Sequence, residues 1–219
     1  MSHFEDFKTY TKIDSGGYLT VEPHRVTATN VPRSAQTCLY KDFGVGHFGD
    51  FFHTVKATLN AGQAVAYDNP AICGVSNTYH HSKDMSNNSD GIYICLYVTA
   101  TPSYAIVMRD QVSGNSSGLT PPISLNQPYW FKIIRKGNVY RAYIYTDPGC
   151  TSLFNIRQII VATTRKFRYM NVAFNANTAG VPTSTHIVED LNLHEKPANQ
   201  FNLQTIKGNV LNKEGWMRT

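Results

Sequence analysis

The stretch from Tyr129 to Asp147, YWFKIIRKGNVYRAYIYTD, constrains the fold of this chain more than any other. Its side chains alternate. Tyr129, Phe131 and Ile133 point one way, and Trp130, Lys132 and Ile134 the other. After a Lys136-Gly137-Asn138 turn, Tyr140, Ala142 and Ile144 share one face, and Arg141, Tyr143 and Tyr145 share the opposite one. Two alternating runs across a tight turn make a β-hairpin with one face wetter than the other, as in a layered antiparallel sheet.

The same signal recurs along the chain. Strands are predicted at 18–22, 25–30, 36–42, 51–59, 71–76, 91–99, 104–110, 153–161, 167–175 and 185–195, separated by clusters of Asn, Gly, Pro and Ser. Phe51, His53, Val55, Ala57 and Leu59 share a face of one strand, as do Ile92, Ile94, Leu96 and Val98 of another. No long helical period competes with this pattern. Many short strands at regular spacing predict an all-β, two-sheet antiparallel jelly-roll sandwich. A chain of 219 residues can bury a core of that size without staples. The sandwich is expected to occupy residues 1–195. Residues 196–219 read as an extended C-terminal arm, basic and Asn-rich but with apolar anchors at Phe201, Leu203 and Trp216.

Charge narrows the partners. The arm holds four basic residues and one acid, +3, so the body contributes only +2 of the chain's +5. That is too weak and diffuse for a nucleic-acid surface. No apolar run reaches the length of a membrane span, about 20 residues. The first residues show no signal-peptide pattern, so cytoplasmic synthesis is expected, with incorporation into a virion or surface structure as one destination. The four cysteines, Cys38, Cys73, Cys95 and Cys150, lack zinc-type spacing, and their positions specify no disulfide pairing. Cys95 reads as a small buried hydrophobe within its strand.

The order of segments resembles the concanavalin A-like lectin/glucanase superfamily in its laminin G-like jelly-roll form. The Tyr129–Asp147 hairpin is similar to that superfamily's W-Y-x-φ-x-φ-x-R-x-G-x-x-φ-x-φ-Y-x-D strand pair, φ being apolar. HIVEDLNLHE resembles its closing strand, and Phe4-Glu5-Asp6-Phe7 with Leu19-Thr20-Val21 resembles its opening strands. The resemblance covers residues 1–195. It implies two curved sheets with ligands on a concave face or on rim loops. It also implies a range of roles, including lectins, glycoside hydrolases, polysaccharide lyases, adhesive modules and viral components.

The family's hydrolases pair two carboxylates at alternate strand positions. Here Glu189 and Asp190 are adjacent and point apart. The Arg-x-Glu-x-Arg and Gln-x-His strands of alginate-lyase-like members are absent too. No catalytic residue is therefore assigned, and the expectation is a non-catalytic interaction protein that assembles as a homo-oligomer or larger array through the arm. The alternatives are a lectin-like carbohydrate-binding module, and a hydrolase or lyase with unfamiliar residues. Ligand contacts are expected from Tyr93, Tyr97, Tyr143 and Tyr145, whose rings sugars can stack on, and from Arg109, Lys132 and Arg141; the alternative is that these tyrosines pack under loops. In a strand His47 and His53, with Asp50 between them, would stand about 20 Å apart, so sharing a metal would need a turn at Gly46 or Gly49; the favoured reading is a loop entering a strand, with His53 half-buried. Laminin G-like modules hold Ca2+ on rim loops, and Asp84, Asn87 and Asp90 of the oxygen-rich segment 80–90 are the candidates for it, against a merely solvated loop.

Overall fold

The computed structural model describes residues 4–32, 35–62, 70–78, 91–98, 103–110, 113–161, 164–175 and 183–194. The strands are β1 (Thr11–Asp14), β2 (Leu19–Glu22), β3 (Arg25–Pro32), β4 (Thr37–Asp42), β5 (Phe51–Gly62), β6 (Pro70–Ser76) and β7 (Gly91–Val98). They continue with β8 (Tyr104–Asp110), β9 (Pro128–Lys136), β10 (Val139–Tyr145), β11 (Leu153–Ile160), β12 (Tyr169–Asn175) and β13 (Thr183–Asn192). All pairings are antiparallel. One sheet has the order β1-β4-β12-β6-β7-β8, the other β11-β10-β9-β5-β13-β3-β2. This is the jelly-roll sandwich that the alternation and the family resemblance both imply. Among the described residues no helix is long and apolar enough to cross a membrane.

The hairpin forms in register, with Ala142 opposite Ile133 and Ile144 opposite Phe131. Gly137, at φ 58°, takes the left-handed turn position that a side chain would strain. Tyr129, Phe131, Tyr140, Ala142 and Ile144 face inward and meet Ile94, Leu96, Met108 and Val172 from the other sheet. Large apolar residues from both inner faces thus make one core, and each fully buried aliphatic or aromatic side chain contributes roughly 1.5–3 kcal/mol.

Two departures from plain alternation matter. Ala173 adopts φ 48°, and β6 carries a bulge between Ala71 and Cys73. The pair turns Val172 and Ala173 both into the main core and sends Phe174 to the opposite face. In β13, Asp190 at φ 55° and a register shift between Glu189 and Asn192 end the simple face pattern, with the Asp190 N–H turned to the His24 carbonyl at 3.0 Å. Strand β1 is the one described strand that alternation did not predict. It is four residues long, and the Asp14 carboxylate holds it by accepting the N–H groups of Tyr18 and Leu19, each at 2.8 Å.

Strand edges are treated unequally. The segment after β8 folds back along it. Ile123 N–H donates to the Tyr104 carbonyl (2.7 Å), Thr120 to Ile106 (3.1 Å) and Ser117 to Met108 (3.0 Å). The Thr120 and Ser117 hydroxyls accept the Ile106 and Met108 N–H groups in return. That edge is sealed. Edges β1 and β2 are four residues each and carry Lys12, Asp14 and Glu22.

Candidate functional site

The expected ligand residues fall on two opposite outer faces. Lys132, Arg141, Tyr143 and Tyr145 lie on the seven-stranded sheet. Tyr93, Tyr97 and Arg109 lie on the six-stranded sheet. The two groups cannot share one small ligand, because the whole sandwich lies between them.

On the seven-stranded sheet the polar groups satisfy one another. Glu189 meets Lys56 at 2.8 Å and Arg25 at 3.9 Å, and Lys56 lies over the Trp130 ring at 5.9 Å. Arg141 donates to Gln158 (2.7 Å) and to the Tyr143 hydroxyl (3.3 Å), while Lys132 sits 5.0 Å above the Tyr145 ring. Tyr143 and Tyr145 are buried rather than exposed, which corrects their reading as open stacking platforms. Cross-strand packing against the long Lys and Arg stems covers them. Burial, with Cys150, Tyr143 and Asp147 nearby, pushes the Tyr145 phenol up to about 12.

The six-stranded sheet presents a different arrangement. Register aligns Thr11, Tyr40, Asn171, Gly74, Tyr93 and Arg109 in one row across all six strands. The neighbouring row is Asp42, Tyr169, Ser76 and Gly91. Cys38, Ala71, Tyr93, Cys95, Val107 and Phe174 form a second apolar cluster on this side, separate from the core, with Tyr40 and Tyr97 packed against it half-buried. Tyr93 is only 2% exposed, with its ring edge-on to Phe174 at 5.7 Å. It therefore belongs to the floor, which corrects its reading as a contact residue. Gly74 is required beside it: a Cβ there would lie 2.5 Å from Tyr93 Cβ and 2.7 Å from the Ile92 carbonyl.

Polar groups cross this floor. Asn171, 1% exposed, donates from Nδ2 to Ser76 Oγ at 2.7 Å and accepts from Cys38 Sγ at 3.8 Å. Arg168 grips Asp42 through two bonds, of 2.7 and 2.5 Å, and its guanidinium lies 5.1 Å from the Tyr169 ring centre. That grip, with the Gly44 N–H, holds the Asp42 carboxyl below its ordinary value. Tyr40 and Tyr169 meet edge to face at 6.1 Å. Arg109 ends the row, half-buried and stacked 5.5 Å above Tyr97; its Nε, like those of Arg157 and Arg165 elsewhere, is buried without a hydrogen-bond partner. A buried guanidinium edge without an acceptor is costly and is satisfied by an incoming anion or carbonyl.

Sequence reasoning did not single out Tyr40, Tyr169, Asn171 or the Asp42–Arg168 pair. Alternation, applied to β4 and β12, would set Tyr40 apart from Leu39 and Asn171 apart from Val172. The adjacency of β4, β12 and β6, which are distant in sequence, is what makes them one surface.

The remaining candidates resolve differently. His53 is 3% exposed and stacked on Phe51 at 4.1 Å, so it is a core residue. Cys38, Cys73, Cys95 and Cys150 are free thiols, the first three buried. Asp84, Asn87 and Asp90, and the arm residues Phe201, Leu203 and Trp216, lie outside the described residues. Among the described residues no group of three or more His, Cys, Asp or Glu is placed to hold a metal ion.

No protein-family model and no curated sequence matches this chain. Solved structures do match its fold. The Ca2+-bound exoplasmic/lumenal domain of VIP36 aligns with TM-score 0.58 at 10% identity, over 90% of this chain and 91% of that one. The alginate lyase Aly36B aligns with TM-score 0.55 at 12% identity, over 85% and 86%. The alginate lyase from Klebsiella pneumoniae aligns with TM-score 0.52 at 10% identity, over 80% and 82%. The chain thus has the concanavalin A-like jelly-roll fold. Alginate lyases share that fold with the VIP36 domain, and this overturns the expectation that the chain is non-catalytic: missing hydrolase and lyase motifs do not exclude catalysis on such a scaffold.

Proposed function

We propose that this protein binds a saccharide across the outer face of its six-stranded sheet. The observation that carries the reading is the row from Tyr40 through Asn171 and Gly74 to Tyr93 and Arg109, which ends in an arginine whose Nε has no acceptor. Half-buried Tyr40, Tyr97 and Tyr169 supply rings and hydroxyls for sugar stacking. Arg109 selects for a carboxylate- or sulfate-bearing sugar, since a fork of N–H donors matches a planar anion. The fold's occurrence in VIP36 structures carrying mannose ligands and in alginate lyases supports a saccharide as the ligand class. Ca2+ on Asp84, Asn87 and Asp90 belongs to the same reading: chelation weakens saccharide binding and added Ca2+ restores it.

A glycan array followed by calorimetry tests this. Arg109→Ala and Tyr97→Ala are expected to weaken acidic-glycan binding tenfold or more, on the order of 1.4 kcal/mol, with Lys132→Ala and Arg141→Ala unchanged. An array with no retained glycan, or loss only in the Lys132 and Arg141 variants, would sink the reading.

The adjacency of Tyr97 and Arg109 favours a second, catalytic reading. In β-elimination of a uronate a base takes the C5 proton, the C4–O glycosidic bond breaks as the C4=C5 bond forms, and the departing oxygen takes up a proton; Arg109, over the Tyr97 ring at 5.5 Å, would neutralise the carboxylate, and the Tyr97 phenol, ionised, would take the C5 proton and return it to the leaving oxygen. Ultraviolet absorbance of the unsaturated product, over a panel of uronate polysaccharides, decides it.

A further inference from the structure

Strand β11 is an outer strand of the seven-stranded sheet, and among the described residues no segment pairs with its edge as one does along β8. It runs eight residues, LFNIRQII, with no Pro, no Gly and a single charge at Arg157. Among the described residues its pairing runs to β10 alone. Long, uncharged, apolar edges are templates for another strand. Aliphatic groups stand open along it, Ile160 at 56% and Leu153 at 37% exposure.

The direction of its main-chain groups follows from one bond. Val161 N–H donates to the Asn138 carbonyl at 3.0 Å, on the β10 side. Alternation then turns the N–H and C=O groups of Ile160, Gln158 and Ile156 outward. The side chains of these same three residues lie on the sheet's outer face, in register with Val139, Arg141 and Tyr143.

We infer that β11 pairs antiparallel with β11 of a second copy of this chain, about a two-fold axis at Gln158. That register alone sets Ile156 opposite Ile160 of the second copy on both sides of the axis. It places each Gln158 amide against its own duplicate and forms about six main-chain hydrogen bonds. Isoleucine pairs directly across an antiparallel ladder are stabilising, and an amide both donates and accepts. Arg157 does not oppose the pairing with a charge on that face, because it lies on the other side of the strand and hydrogen-bonds Asn155 of its own strand. The two seven-stranded sheets become one continuous sheet. A single strand pair buries little, in the class below about 1,200 Å² in total, so the dimer is reversible and forms at high protein concentration.

Sedimentation equilibrium of the full chain from roughly 0.01 to 1 mM tests the pairing. Wild type is expected to shift from monomer to dimer over that range. Gln158→Pro removes an outward N–H without touching the β10 ladder, and Ile160→Lys places a charge on the edge; each is expected to stay monomeric with an unchanged circular dichroism spectrum and melting temperature. A wild type that remains monomeric throughout would overturn the inference. So would a dimer that survives both substitutions, and one lost only on deletion of residues 197–219, which would transfer the contact to the arm.

Discussion

Acid should unfold this protein through two histidines in the sandwich interior. His186 is 1% exposed, paired in the ladder with Ala28 and Leu59, and neither of its ring nitrogens has a hydrogen-bond partner. Burial lowers its pKa to about 4. His53, stacked on Phe51, is lowered to about 3, first by burial and then by His194 and His47. In the unfolded chain both titrate near 6.5. The native state therefore stays neutral while the unfolded state takes up protons, so stability is whole above pH ~6.5 and is lost as pH falls from there toward 4 and 3. At pH 5 an unfolded histidine has gained about 2 kcal/mol by protonation, and the two together about 4 kcal/mol. That is a large share of the 5–15 kcal/mol typical of a folded domain. Urea unfolding at pH 7.5 and pH 5, followed by tryptophan fluorescence, measures the difference. His186→Leu should roughly halve the loss, to about 2 kcal/mol, and leave stability at pH 7.5 equal or higher, because it removes a buried polar ring with no partner. A wild type that loses under about 1 kcal/mol, or a His186→Leu variant with the same loss as wild type, would refute the argument.

Two further substitutions test the packing. Gly74→Ala should cost about 1–3 kcal/mol, read as a lower urea midpoint at unchanged slope, since the new methyl meets Tyr93 and the Ile92 carbonyl. Arg135 is 2% exposed and donates to the Phe48 and Gly137 carbonyls, each at 3.1 Å, with its guanidinium between the Tyr140 and Phe167 rings. Arg135→Ala should cost about 3 kcal/mol by leaving a cavity and unpaired carbonyls, and a melting temperature within error of wild type would contradict that role.

Most of the fold was legible in the sequence because side-chain alternation is a local signal. The predicted segments overlap β2 to β13, and the Tyr129–Asp147 hairpin and the inward set Phe51, His53, Val55, Ala57 and Leu59 stand in the structure, whereas Phe4–Phe7, read as part of an opening strand, leads into a 3-10 helix at Phe7–Thr9. The site was legible only in part. Tyr93 and Tyr97 were marked as stacking rings and Arg109 as a polar contact, but nothing local says that Tyr143 and Tyr145, marked by the same rule, face away on the other sheet. Nor could alternation foresee Ala173 at positive φ, which reverses the expected side for Phe174. Face identity depends on which distant strands become neighbours, and the junctions of β4, β12 and β6 are set by the packing of the whole sandwich.

The folded-back segment that seals β8, with the short charged edges of β1 and β2, also limits what the molecule can build. A two-fold contact through β11 uses the same edge on both copies and consumes it. Growth in the sheet direction then has no free end: the assembly closes at two subunits, where a chain with two open edges would propagate as a fibre.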